Sequence, residues 1–368
     1  MAGKIPTTVI TGFLGAGKTT LIRHMLENAD GKRIALIINE FGDLGVDGGI
    51  LNACGIEGCD EEDVMELSNG CICCTVAEDF VPTLQTLLDR PEPPDHIVIE
   101  TSGLALPQPL VRAFNWPEIR TRVTVDGVVT VVDGPAVADG RFAADVHAVD
   151  AQRAADDQLD HETPLSELFE DQMTCADMIV LNKTDLMARA SAEQLADTLR
   201  QQSRAGVQVI RTQMGAVDPA VLLGLGIAAE TDMDARREVH HAHDHDDHHD
   251  HHDHEDDHHH SHSHEHGHDA FGSFVVNLPA LDDPAGFAQR ISSVIARHGI
   301  LRLKGFAAVS GKPMRLVIQA VGPRVDTHFD KPLSASDLNT TRLVVIGEAG
   351  MDHAAIRAEL AHGLELVA

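Results

Sequence analysis

The sequence predicts an α/β protein with a doubly wound, mostly parallel sheet, followed after a histidine-rich linker by a smaller C-terminal α+β domain. Three observations predict it. Short β-branched apolar runs alternate with amphipathic stretches of helical spacing, a glycine-rich loop joins the first run to the first helix, and composition changes abruptly between residues 240 and 268. The limits read from this pattern are 1–225, 226–270 and 271–368.

The loop Gly12-Phe13-Leu14-Gly15-Ala16-Gly17-Lys18-Thr19 fits Gly-x-x-x-x-Gly-Lys-[Ser/Thr], the phosphate-binding loop, and makes the first domain a P-loop NTPase. Thr8-Val9-Ile10-Thr11 before it reads as a buried strand, and Thr20 to Leu26 after it as a helix. Gly12, Gly15 and Gly17 let successive N–H groups face a phosphate chain, with Ala16 and Thr20 completing the loop and the first helical turn. Lys18 is placed to reach the β- and γ-phosphates, and Thr19 to offer its hydroxyl to Mg²⁺.

At 368 residues, 43% of them hydrophobic, the chain is long enough for about two globular domains. The N-terminus runs straight into the first strand without a secretory pattern, and no apolar run reaches the roughly 20 residues that span a bilayer. A cytoplasmic protein with no membrane partner is expected. The six cysteines are then kept reduced, so close spacing among them points to metal chemistry before disulfides. A formal charge of −30 argues against a nucleic-acid partner and suits metal cations.

Ile34 to Ile38 reads as a second buried strand, running into a glycine-rich acidic tail that carries Glu40, Asp43 and Asp47. Ligands bind beyond the carboxyl ends of such strands, which puts these acids near phosphate and Mg²⁺; a solvated acidic turn is the competing reading. Gly70-Cys71-Ile72-Cys73-Cys74 then sets three thiols within four residues. Thiolates are soft ligands, and three in one turn supply most of a tetrahedral shell. Buried cysteines acting as small apolar groups, or a strained Cys73–Cys74 disulfide, are the alternatives. Cys54, Cys59 and Cys175 read as ordinary cysteines.

His96 to Glu100 is a further strand and closes with Glu100-Thr101-Ser102-Gly103. A carboxylate at a strand tip beside a phosphate loop holds Mg²⁺ or its waters, and Gly103 lets a backbone N–H approach the γ-phosphate. Val128 to Asp133 is the next strand, and Met178 to Leu181 leads into Asn182-Lys183-Thr184-Asp185. In this pattern the carboxylate of Asp185 accepts hydrogen bonds from guanine N1–H and its 2-amino group, donors that adenine does not pair, so GTP is expected over ATP. A helix near Ala192 to Gln202 and a strand near Val207 to Ile210 complete the domain.

Residues 240–268 hold 16 of the 24 histidines, mixed with Asp and Glu. The segment builds no core and reads as a flexible linker whose neutral imidazoles bind metal; a solvated spacer is the alternative. Beyond it, strands near Phe274–Leu278, Gly305–Val309, Arg315–Gln319 and Thr341–Ile346, with helices near Pro284–Arg297 and Asp352–His362, make the α+β domain, read as a docking or regulatory unit.

The phosphate loop, Asn39-Glu40-Phe41-Gly42, Gly70-Cys71-Ile72-Cys73-Cys74, Glu100-Thr101-Ser102-Gly103 and Asn182-Lys183-Thr184-Asp185 occur in this order, and on them the chain is identified as a member of the CobW family of metal-handling P-loop GTPases. The resemblance spans nearly the whole chain. It implies GTP and Mg²⁺ as ligands, Lys18, Thr19 and Glu100 as catalytic residues, and Cys71, Cys73 and Cys74 with Glu40 as the site of a cargo metal. The histidine linker, with Cys54 and Cys59, most resembles the branch associated with aerobic cobalamin synthesis. That branch implies Co²⁺ as cargo and a cobaltochelatase as recipient, with Zn²⁺ as the alternative cargo. A metal store built on the histidine tract, and a regulatory GTPase with a structural zinc, are the competing functions.

Overall fold

The computed structural model describes residues 3–38, 64–66, 80–155, 164–233, 236, 271–334 and 339–364. Its first sheet consists of β1 (Ile5–Thr11), β2 (Ile34–Ile38), β3 (Val64–Glu66), β4 (His96–Glu100), β5 (Val123–Asp133), β6 (Met178–Asn182) and β7 (Gln208–Arg211). Their order is β3-β2-β4-β1-β5-β6-β7, and every pairing is parallel. Every residue of β2, β4 and β6 is buried, as continuous β-branched runs require when both sheet faces are covered.

The cover comes from α1 (Lys18–Glu27), α2 (Val81–Leu88), α3 (Pro107–Ala113), α4 (Gly134–Ala138), α5 (Val146–Ala155), α6 (Leu165–Cys175), α7 (Arg189–Gln202) and the short α8 (Pro219–Leu222). Packing against the sheet continues through Ala229 and Met233. Among the described residues no helix is long and apolar enough to cross a membrane.

The register sets the functional strand ends at two levels, Glu66, Ile38, Glu100 and Ile10 beside Val129, and Asp133 with Asn182 four residues further on. Glu66 pairs with Ile38, Ile38 with Glu100, Glu100 with Ile10, and Asp133 with Asn182. The segments that follow β1, β2, β3, β4, β5 and β6 therefore all leave from the same edge, the edge at which parallel sheets bind ligands.

β5 begins at Val123, five residues before the expected start, because the polar pair Asp126-Gly127 lies inside the strand and does not end it. Thr7 pairs with Val125 and Thr8 with Gly127, which leaves Asp126 as the bulged residue. Its buried carboxylate accepts hydrogen bonds from Gly224 N, Leu225 N and Gly226 N at 2.5, 2.8 and 2.7 Å.

The second sheet contains β8 (Phe271–Pro279), β9 (Ile300–Ala307), β10 (Met314–Val321), β11 (Arg324–Pro332) and β12 (Thr340–Glu348), antiparallel in the order β11-β10-β9-β12-β8. Helices α9 (Pro284–His298) and α10 (His353–Ala361) pack Ile291, Val294, Ile356 and Leu360 into one core with Val276, Leu303, Ile318 and Leu343. Each helix is capped by an aspartate, Asp283 and Asp352, whose side chain accepts first-turn N–H groups. β11 departs from expectation: it is a polar, almost wholly exposed edge strand, so no apolar pattern announces it.

The two domains share packing. Leu301, Val321 and Ile346 join the apolar cluster of the first sheet, and buried Arg302 donates from one guanidinium nitrogen to Ala220 O at 2.5 Å and to Leu223 O. Asp126 fixes the loop from one side and Arg302 from the other, so this junction is held by buried charge as well as apolar area.

Candidate functional site

The turn after β1 has left-handed backbone at Gly12, Gly15 and Gly17, with φ of 136°, 76° and 104°. Gly17 is the residue that sequence physics demands most clearly. It caps α1 in that conformation, and a Cβ there would lie 2.3 Å from Asn182 Nδ2. The N-cap Gly17 offers no side chain to the first-turn N–H groups of α1 and no acid sits in that turn, which leaves the helix N-terminus suited to an anion. Lys18 is buried and donates from Nζ to Gly12 O at 2.9 Å and to Phe13 O at 3.4 Å, so the ammonium lies over the loop itself. Ala16 is buried and Thr20 exposed at the start of the helix.

Thr19 Oγ1 donates to Glu100 Oε1 at 3.2 Å, and Glu100 is buried at the tip of β4. A hydroxyl and a carboxylate side by side are hard oxygen donors, the chemistry that Mg²⁺ prefers. These two residues fit that ion, which when bound supplies positive charge to the β- and γ-phosphate oxygens. Three residues after Glu100, a Cβ at Gly103 would lie 2.7 Å from Leu14 N, so only glycine lets the β4 turn stand against the phosphate loop. Buried Gln172 holds that turn from behind, donating to Gly103 O at 3.1 Å and Ala105 O at 3.3 Å.

On the opposite side of the loop, Asn182 Nδ2 donates to Ala16 O at 2.9 Å, and its Oδ1 accepts from Gly215 N at 3.1 Å. One buried amide thus ties the phosphate loop to the turn that follows β7. Lys183 has φ 59°, and its Nζ lies 2.5 Å from Asp133 Oδ2. Asp185 stands exposed on the short 3₁₀ turn Thr184–Leu186.

Two contributors escape the sequence reading. Asp133 both caps α4, through Ala136 N at 3.1 Å, and orients Lys183. The turn Thr212-Gln213-Met214-Gly215 packs beside the Asn182–Asp185 segment and α1: Thr184 N and Oγ1 donate to Thr212 O, and a Cβ at Gly215 would lie 2.7 Å from Leu21 N. A glycine turn at the carboxyl end of a predicted strand is the signal that could have found it.

Cys71, Cys73, Cys74 and Glu40 lie outside the described residues, as do Asp43, Asp47, Cys54, Cys59 and the histidine tract. Among the described residues no group of three His, Cys, Asp or Glu is arranged to hold a metal. Cys175 is described and fully buried, and burial pushes its thiol up to about 11, so it stays protonated and acts as a small apolar residue.

Comparison with known proteins agrees with this geometry. The family described as CobW/HypB/UreG, nucleotide-binding domain, matches residues 6–211, and the cobalamin synthesis protein cobW C-terminal domain matches residues 271–364. The chain is 58% identical over 358 residues to the zinc chaperone CobW of Sinorhizobium sp, covering 97% of each protein. It is 50% identical to the zinc chaperone CobW of Pseudomonas aeruginosa, covering 97% of this chain and 91% of that one. It is 30% identical to the zinc chaperone YjiA of Escherichia coli, covering 93% and 94%. With a phosphate loop, a strand-end acid and a guanine motif on one sheet edge, and with these matches, the chain belongs to the CobW/HypB/UreG family of P-loop GTPases.

Proposed function

We propose that this GTPase is a zinc chaperone in which GTP governs the hold on the ion. Lys18, the loop N–H groups and Thr19 with Glu100 bind the triphosphate and its Mg²⁺, Asn182, Lys183 and Asp185 face the base, and Cys71, Cys73 and Cys74 with Glu40 hold the cargo. The observation that carries the reading is the strand register. Glu66, from which the chain runs on to Cys71, ends level with Glu100 at the phosphate edge, and Ile38, from which it runs on to Glu40, ends there too. Three strand spacings separate β3 from β1, about 14 Å, and the five residues from Glu66 to Cys71 span at most about 17 Å. These lengths support the reading that the chain is long enough for Cys71 to reach the γ-phosphate.

Zinc is the better supported cargo. The full-length relatives are named zinc chaperones, and thiolate sites bind Zn²⁺ more tightly than Co²⁺. Co²⁺ delivery to a cobaltochelatase, which the resemblance implied, has neither of these supports. The recipient is a metal-requiring protein that docks while GTP is hydrolysed.

In this cycle the γ-phosphate tightens the hold of the sulfur ligands on the ion, and its loss loosens it. Linkage makes the coupling mutual, so Zn²⁺ tightens GTP binding by the factor by which GTP tightens Zn²⁺ binding. Zinc affinity measured with a non-hydrolysable GTP analogue is expected to exceed that with GDP by about tenfold, within the ordinary range of allosteric coupling. Serine at Cys71, Cys73 and Cys74 removes the difference. Equal affinities in the two nucleotide states would sink the chaperone reading, and a capacity that vanishes on deleting residues 240–268 would indicate a store instead.

A further inference from the structure

We propose that Gln152, on α5, orients the attacking water during GTP hydrolysis. The inference rests on the phosphate site described above and adds a group that the residues already named there do not supply. The residue after Gly103 is Leu104, whose side chain is fully buried in an apolar cluster with Phe13, Val149 and Leu168. It has no polar atom with which to hold a water. Among the described residues, another element offers an orienting group.

α5 is the element in place. Val149 is buried in the same cluster as Phe13 of the phosphate loop, which lays this helix across the loop and the β4 turn. Gln152 follows three residues later and so shares the helix face of Val149. Its Nε2 lies 3.5 Å from Ser102 Oγ, beside Gly103 and thus beside Leu14 of the loop. Its Oε1 is buried and accepts no hydrogen bond from any described residue. A buried amide oxygen without a donor is costly, and such atoms persist where a ligand supplies the donor. A water in line with the γ-phosphorus has the O–H to give.

Gln172 is the rival, since its Oε1 is also without a donor. Its nitrogen, however, is committed to Gly103 O and Ala105 O, and the residue is wholly closed to solvent. Gln152 retains partial exposure and can meet a water that enters with substrate.

The chemistry balances without a proton passing through the amide. The water oxygen forms a bond to the γ-phosphorus, and the bond from that phosphorus to the bridging oxygen breaks. The electron pair stays on the β-phosphate of GDP, and the water proton leaves on the released phosphate. Gln152 accepts a hydrogen bond from the water and thereby fixes its lone pair on the phosphorus.

The test uses the full chain with Mg²⁺, comparing wild type with Gln152→Ala and Gln152→Leu. Single-turnover GTP hydrolysis is expected to fall about 30-fold while the affinity for a non-hydrolysable GTP analogue changes by less than about twofold. Aluminium fluoride, which with GDP mimics the in-line transition state, is expected to tighten GDP binding in wild type and not in the variants. Hydrolysis within about threefold of wild type would overturn the proposal, as would parallel losses of analogue binding and turnover, which mark a structural role. Failure of the wild type itself to bind GTP would instead overturn the phosphate-site reading on which this one stands.

Discussion

Lys18→Ala is expected to lower GTP hydrolysis by about 10³-fold, the loss typical when a donor aimed at transition-state charge is removed from a built site. The side chain is buried, and its Nζ is held by Gly12 O and Phe13 O, so the charge is fixed over the loop before substrate arrives. A preplaced ammonium costs no reorganisation when negative charge shifts onto the β–γ bridge. Lys18→Arg keeps the charge and yet is expected to fail nearly as badly. A planar guanidinium presents a different donor geometry and does not fit the space above the two carbonyls. Single-turnover hydrolysis reports the rate, and a thermal melt of the nucleotide-free protein separates chemistry from folding. A Lys18→Ala rate above about a tenth of wild type would remove Lys18 from the machinery.

The same residues show what a sequence discloses. Lys18, Thr19 and Glu100 are legible because each sits in a short contiguous motif, and the doubly wound sheet converts sequence neighbourhood into place: whatever follows a strand lies at the carboxyl edge. Asn182 is legible as part of a base motif, but its bonds to Ala16 O and Gly215 N are not, because they join three separate turns.

Asp126 lies just ahead of the strand expected from Val128, and no motif includes it. Its partners at Gly224 to Gly226 lie 98 to 100 residues away and belong to no pattern within a window. Gln152 fails the same way, since Ser102 is 50 residues distant and only the packing of Val149 brings them together. β11 escapes for the opposite reason: it is an edge strand paired with β10, and its mostly exposed polar residues carry no periodic signal. Contiguous chemistry is readable, while chemistry assembled by packing is not.

Acid sensitivity follows from one buried imidazole. His96 begins β4 and is buried at 3% exposure, with Nε2 2.8 Å from Thr8 Oγ1 on the neighbouring strand. Burial pushes its pKa down from 6.5 to about 4, Lys32 and Arg302 push the same way, and Asp126 opposes them. The unfolded chain therefore binds this proton between about pH 6.5 and 4 while the folded chain does not, so folding stability rises with pH across that window. The contribution is complete above pH 6.5 and is lost as pH falls through the window, at about 1.4 kcal/mol per pH unit and on the order of 3 kcal/mol in all.

His96→Gln keeps a polar group for Thr8 and removes the titration. Urea unfolding of both proteins at pH 7.5 and pH 5 is expected to show the wild type losing about 2 kcal/mol more than the variant, because every other group titrates alike in the two and cancels. An equal loss in both would mean that His96 is protonated as readily in the folded protein as in the unfolded chain. The strand beside the phosphate loop would then tolerate a charge at its base, contrary to the burial that defines it.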